Sequence, residues 1–412
     1  MRLTTFLFRT HSAPKVALLL LAVEMFNVFN RGMPWRGELV WSVDWAGTVL
    51  VLVGPVLAGA VAVDAGRYAK SGVDYLAAQP GPRSRVSILT WAAGVVPTMI
   101  AHLVAVGLIL TISRPQSEIS PWPSLLAVVA QLGGIAFYGA VGSACGRYLG
   151  SVAGAPAAVL LSVLLFWQFG TSPDRFSPLL FGRATSSVLG LQFNVVQILY
   201  QVVILILLTG VLLALPVRVI KGIRRPPHVI TAVLLVAVIA AYVLTPLTSV
   251  NRFDRVAVAP SSCAGQEPVI CVFPDHERFL PSAEAAISEL YAGAASLGIR
   301  DLLPEKVQER VPGEGSAQDG NGRFQIPVAA FSGDKLSIDD LAIEMVVPHH
   351  CPALYGDVPP SMQFGEDLHR AAQTLVLAAV GQAGSGPWGG EVDPMSSNEL
   401  REVLVNFQKC SL

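Results

Sequence analysis

Seven mostly apolar stretches divide the first 247 positions, at approximately 15–30, 46–64, 87–111, 123–143, 154–170, 195–217 and 228–247. Crossing about 30 Å of hydrocarbon at 1.5 Å per residue takes about 20 residues, so each stretch is read as a membrane-spanning helix. The fifth, carrying Leu160, Leu161, Val163, Leu164, Leu165, Phe166 and Trp167, is the shortest. In residues 1–14, Leu3, Phe6 and Leu7 recur at helical spacing beside Arg2 and Arg9, which predicts an interfacial helix leading into the first span.

After position 247 the pattern changes. Residues 252–259, 268–273 and 323–331 cluster apolar and β-branched residues between turn formers, which predicts short strands. Residues 281–297 and 366–382 repeat apolar positions at helical spacing, and Ser396 followed by Glu399 forms a capping box for a last helix through Leu400, Val403 and Phe407. Residues 313–322 form a Gly-rich acidic loop with no basic residue to cradle a phosphate. The expected fold is an all-α polytopic membrane domain, a six-helix core over 15–220 plus a seventh span at 228–247, followed by a small α+β domain over 248–412.

Composition agrees with that division. Hydrophobic residues make up 52% of the chain and charged ones 14%, against about 25% charged in a soluble domain. The overall charge of −1 conceals +10 over residues 1–247 and −11 over 248–412. The acidic half excludes nucleic acid as a natural partner. Basic residues flank the spans on one side: Arg2, Arg9 and Lys15; Arg67, Lys70, Arg83 and Arg85; Arg218, Lys221, Arg224 and Arg225. The opposite loops mix Arg31, Arg36, Arg114, Arg175 and Arg183 with Glu38, Asp44, Glu118 and Asp174. Retention of basic residues inside gives a cytoplasmic N-terminus and an extracytoplasmic C-terminal domain in a multi-pass plasma-membrane protein.

Residues 64–79 after the second span are polar and helix-length, with Arg67, Tyr68, Lys70, Asp74, Tyr75 and Leu76, and end at Pro80-Gly81-Pro82 before Arg83 and Arg85. Such a segment serves either as a solvated connector or as a surface helix that plugs into a partner. With the interfacial start at 1–14 and the apolar segment 171–193, containing Phe176, Leu179, Leu180, Phe181, Val188 and Leu191, this layout resembles the membrane subunit of type 2 ABC exporters over residues 1–220. The run from Cys271 through His276 to Glu277 resembles a C-terminal domain found on a subset of actinobacterial permease-like proteins. The resemblance implies a bacterial permease paired with a second permease subunit as a homodimer or heterodimer. It also implies a separate ABC ATPase docking at Arg67, Tyr68, Lys70, Asp74, Tyr75 and Leu76, and extracellular helices within 171–193. The family's acidic residues early in the coupling helix are matched only by Asp64 and, late, Asp74. No lysine lies in a Gly-x-x-x-x-Gly-Lys-[Ser/Thr] loop, so ATP and Mg would be bound by the partner subunit, and this chain is read as a non-enzyme without a cofactor of its own.

Within the spans the polar exceptions are Glu24, His102, Gln131, Gln197 and Gln201. Intramembrane ionisable groups are functional candidates by default, which singles out Glu24 and His102. Cys263, Cys271, Cys351 and Cys410 lie in the outer domain, where an even number suggests disulfides. Three pairings are possible, among them Cys263 with Cys271 and Cys351 with Cys410. Cys145 is left at an inner helix end. His276-Glu277, His349-His350 and His369 lack the His-Glu-x-x-His spacing of a zinc helix, so no metal site is assigned. Two rival functions stand beside export: a membrane-anchored sensor or scaffold, and an extracytoplasmic hydrolase that needs His276, Glu277 and His349 to converge.

Overall fold

A computed structural model describes residues 12–30, 33–70, 83–114, 119–170, 176–215, 251–311, 322–327, 330–333, 335–348, 351, 362–381 and 393–410. The expected interfacial helix at 1–11, most of the docking segment (71–82), the seventh span at 228–247, nearly all of the Gly-rich loop (312–321) and His349-His350 lie outside the described residues.

The membrane part is built from α1 (Ala13–Phe29), α2 (Leu39–Thr48), α3 (Leu50–Lys70), α4 (Arg83–Ser113), α5 (Trp122–Gly170) and, after the short strand β1 (Leu191–Phe193), α6 (Val195–Ala214). Among the described residues, four helical segments are long and apolar enough to cross a membrane: Leu39–Arg67, Ile88–Ser113, Trp122–Gly170 and Val195–Ala214. Their outward faces carry the exposed apolar side chains, such as Leu52, Ile100, Leu164, Trp167 and Ile206, whereas Val380 is the only large one exposed among the described residues of 251–410. An apolar belt of that kind is compatible with contact to lipid.

At 49 residues, α5 is too long for one crossing, and Gly150 (φ 78°) breaks it into two limbs, 122–149 and 151–170. The contacts give their directions. Tyr138, Gly142 and Gly146 meet Gly54, Ala58 and Ala62 in the same order, so the first limb runs parallel to α3. Ser151 and Val159 meet Gly66 and Gly59 in reverse order, so the second limb turns back. Small residues allow this approach: a methyl group added at Gly142 or Gly146 would overlap the carbonyl oxygen of Ala58 or Ala62.

The C-terminal part contains β2 (Phe253–Arg255), β3 (Ser262–Ala264), β4 (Val269–Val272), a 3-10 turn (Pro274–Phe279), α7 (Leu280–Ser296), β5 (Lys306–Glu309), β6 (Gly322–Phe324), α8 (Ile338–Val346), α9 (Met362–Val380) and α10 (Ser397–Gln408). Its sheet has the order β3-β4-β5-β6, with β3 antiparallel to β4 and the remaining pairs parallel. The apolar faces of α7 and α9 supply Ile287, Leu290, Leu375 and Val376 to the core. Ser396 accepts the amide of Glu399 at 3.3 Å, as the capping box requires. Cys263 joins Cys271 directly across the β3-β4 pair, and Cys351 joins Cys410.

Several expectations are corrected. Among the described residues of 171–193 there is no helix: turns lead into β1, because carboxylates of the bundle take up the segment's backbone amides. The strand expected at 252–259 shrinks to β2, which pairs with β1 and stays out of the four-stranded sheet. The strand expected at 323–331 ends at Phe324, and Ala330–Gly333 is helical. Finally, residues 64–70 continue α3 without a break.

Candidate functional site

The short helix α2 is almost entirely buried, including Trp41, Ser42 and Asp44. An amphipathic helix at a water interface would expose one face. Here three polar networks meet on α2 instead, and each joins it to a different part of the chain.

The first begins at Glu38, immediately before α2. Its Oε1 accepts from Nε2 of His276 at 2.9 Å, and its Oε2 accepts the amide of Val188 at 2.9 Å. The other ring nitrogen of His276, Nδ1, lies 2.5 Å from Oε1 of Glu309, whose Oε2 accepts the amide of Phe273 at 3.0 Å. All three side chains are at most 3% exposed. Glu309 reaches the histidine because β5 turns Val307 and Glu309 to the same buried side. Burial alone would lower the pKa of His276, but Glu309 and then Glu38 outweigh it and raise it to about 10. Both ring nitrogens therefore carry protons, and the imidazolium bridges two carboxylates. Phe279 and Phe331 stand edge-on around the ring, and Trp41 packs on Phe331.

The second network centres on Asp44. Its Oδ2 accepts the amides of Arg183 and Ala184 at 2.7 and 2.8 Å, and its Oδ1 accepts from Nε of Arg252 at 2.9 Å. The two remaining guanidinium nitrogens donate to the carbonyls of Leu180 and Phe181, both at 2.6 Å. Removing such charges from water costs several kcal/mol per ion, a penalty offset when every lone pair finds a donor. Both carboxylate oxygens of Asp44 have such donors.

The third lies deeper in the bundle. Gln131 Nε2 donates to the carbonyl of Val43 at 2.8 Å, Gln131 Oε1 lies 3.0 Å from Nε2 of His102, and Nδ1 of His102 lies 3.2 Å from Oε1 of Glu24. Glu24, His102 and Gln131 are each at most 1% exposed, and Glu24 Oε2 has no hydrogen-bond partner. The structure thus brings together Glu24 and His102, the two ionisable groups singled out from the sequence.

No family model, curated protein or solved structure matches the chain. What the networks do must therefore be read from their geometry and chemistry.

The remaining sequence candidates fall elsewhere. Asp64 is 3% exposed in α3 and accepts the amides of Ser12 and Ala13 at 2.8–2.9 Å. Ser12 does not cap α1 with its own side chain, so Asp64 supplies the negative charge that the positive end of the helix dipole favours. Arg67 is exposed, donates to Ser12 Oγ at 3.1 Å and lies 3.8 Å from Asp64. The side chains of Tyr68 and Lys70, and all of Asp74, Tyr75 and Leu76, lie outside the described residues. Gln201 fixes the carbonyls of Pro178 and Leu180. Cys145 is unpaired and half-buried. His276 faces Glu38 and Glu309, while its neighbour Glu277 is exposed, so these two do not begin the convergence a hydrolase would need. Among the described residues, no group of three His, Cys, Asp or Glu side chains is arranged to hold a metal ion.

Sequence reasoning missed Glu38, Asp44, Arg252 and Glu309, taking the first two as loop charges. A signal was present: two acids inside a tryptophan-rich apolar run, Trp35 to Leu50, are out of place unless partners arrive from elsewhere.

Proposed function

We propose that the chain is the membrane permease subunit of an ABC-type exporter, energised by a separate ATPase that docks at the cytoplasmic loop after the second span. In this reading α1, α2 with α3, α4, the two limbs of α5 and α6 are six spans, and 228–247 is a seventh that carries the acidic domain to the outer side. The observation that carries the proposal is the joint between the docking loop and the bundle. Asp64 and Arg67 tie the end of α3, where the loop begins, to the first turn of α1. Movement of the loop would therefore pull α1 directly, and α1 carries Glu24 into the bundle interior. Nucleotide-driven closure in the partner would switch access through such rigid-body displacement. A second permease subunit would complete the pathway.

The test is copurification in mild detergent from the native host. Wild-type protein is expected to bring an ABC ATPase with it, and R67E/K70E is expected to lose that ATPase while retaining the folded bundle. Unchanged copurification of the double variant would sink the docking assignment.

One observation favours the sensor reading as runner-up. An open groove on the outer domain, lined by Glu267, Arg300, Asp301 and Glu305, offers acidic groups to a cation or basic peptide. Reproducible absence of any ATPase from the wild-type pulldown would put that reading first.

A further inference from the structure

The hydrogen-bond directions in the deepest network locate its protons. Gln131 donates its amide N–H to the carbonyl of Val43, so its carbonyl oxygen faces His102. The opposite amide orientation would set two carbonyl oxygens against each other at 2.8 Å. Oε1 only accepts, so Nε2 of His102 must carry a proton. Across the ring, Nδ1 faces Glu24 Oε1 at 3.2 Å. That contact holds a proton in either of two ways: an imidazolium N–H donates to a carboxylate, or a carboxylic O–H donates to a neutral imidazole. In both forms Glu24 and His102 together are uncharged and share one proton. Removing it would place two lone pairs opposite each other and leave an unpaired carboxylate in a dry interior, which is costly. The unpartnered Oε2 favours the carboxylic-acid form, because a carboxylate would leave part of its charge on an oxygen without a donor.

We propose that Glu24 and His102 form an intramembrane proton-binding site whose occupancy requires α1 and α4 to be packed together. When the two helices separate, water enters, the Glu24 O–H gives its proton to that water, and a hydrated carboxylate and neutral imidazole remain. Closing the bundle takes the proton back. By linkage, a lower pH favours the closed arrangement.

The other titratable groups on the packed helices are engaged elsewhere. Asp44 is held by Arg252, and Asp64 by the first amides of α1. Arg147 donates to the carbonyls of Leu212 and Leu215 at the end of α6. Tyr138 lies against Gly54, Lys15 is exposed at the start of α1, and Cys145 and Tyr148 stand beside the turn at Gly150. The proton site is also joined to the outer domain, because Val43 and Asp44 are consecutive residues of α2. It would work in the same way whether the bundle exports a cargo or only anchors that domain.

The experiment counts protons. Full-length wild type and E24Q in lipid nanodiscs are unfolded at pH 8, and the protons released are titrated. Unfolded Glu and His, with pKa values of about 4.3 and 6.5, hold almost none at that pH. Wild type is expected to release about one proton per chain more than E24Q, and equal release overturns the proposal. Should E24Q fail to assemble, nitrogen NMR of the wild-type His102 ring decides. A protonated Nε2 is expected, and a bare Nε2 facing Gln131 overturns it. Spin labels at the lipid-facing positions Leu19 and Leu103 then test the linkage. Their separation is expected to grow with rising pH in wild type and to stay constant in E24Q, and constancy in both refutes the coupling to helix packing.

Discussion

His276 holds the two halves of the chain together through a single ring. Removing one member of a buried charge network strands the others, at a cost of about 3–5 kcal/mol. H276A is therefore expected to loosen the C-terminal part from α2, read as an earlier transition in tryptophan fluorescence, since Trp35 and Trp41 are buried at that junction. The pH dependence has a definite sign. The pKa is raised from 6.5 to about 10 by Glu309 and Glu38 against the opposing effect of burial. Its stabilisation is thus complete below about pH 6.5 and is lost as pH climbs through 10. The wild-type transition should move to lower temperature between pH 7 and 10, and H276A should lack that part of the change. At this scale the sequence was readable where a polar group interrupts an apolar run, which is how Glu24 and His102 stand out. It was unreadable where meaning depends on a distant partner: Glu38 finds His276 238 residues away, and Asp44 finds Arg252 208 residues away. No local pattern encodes such pairings.

Helices declare themselves through period and length, and α7, α9 and α10 lie close to where periodicity and capping put them. Strands were harder. β5 went unseen because one of its inward positions is Glu309, and a charge at a core position breaks the alternation that identifies a strand. The helices that the family resemblance implied within 171–193 do not form among its described residues, because Glu38 and Asp44 offer the backbone amides of Arg183, Ala184 and Val188 other partners. Packing inside the bundle gives a prediction of its own. G142V is expected to force α3 away from the first limb of α5 and lower the thermal transition markedly, because the added Cβ meets backbone that cannot yield. At Gly107 nothing lies within 4 Å of an added Cβ, so G107A should be neutral or slightly stabilising, Ala being the better helix former by about 1 kcal/mol. Similar losses from both substitutions would contradict the close approach of α3 and α5.

For the molecule as a whole, hydropathy and the charge split predicted a helical membrane part and a small α+β part, and among the described residues four membrane-length helices and a small sheet region agree with that fold class at its coarsest. Less legible is how firmly the helical bundle and the sheet region are joined: one continuous apolar cluster runs from Trp35, Trp41 and Val106 in the bundle to Phe279, Phe331 and Leu341 in the C-terminal part. The two disulfides should contribute unequally. Cys351 and Cys410 are 59 residues apart and Cys263 and Cys271 only 8, so loop-closure entropy assigns about 4 and about 2.5 kcal/mol respectively. C351A/C410A should consequently lower the stability of the C-terminal part more than C263A/C271A, as measured by denaturant unfolding of the full chain. The buried carboxylates of α2 also set an order of biogenesis. When the ribosome has made α2, the cationic partners of Glu38 and Asp44 have not yet been synthesised, and both acids must stay hydrated until more than 200 further residues have emerged. The second hydrophobic segment thus settles into its final place late, and a chain truncated before Arg252 would present the insertion and quality-control machinery with a bundle carrying two orphaned acids.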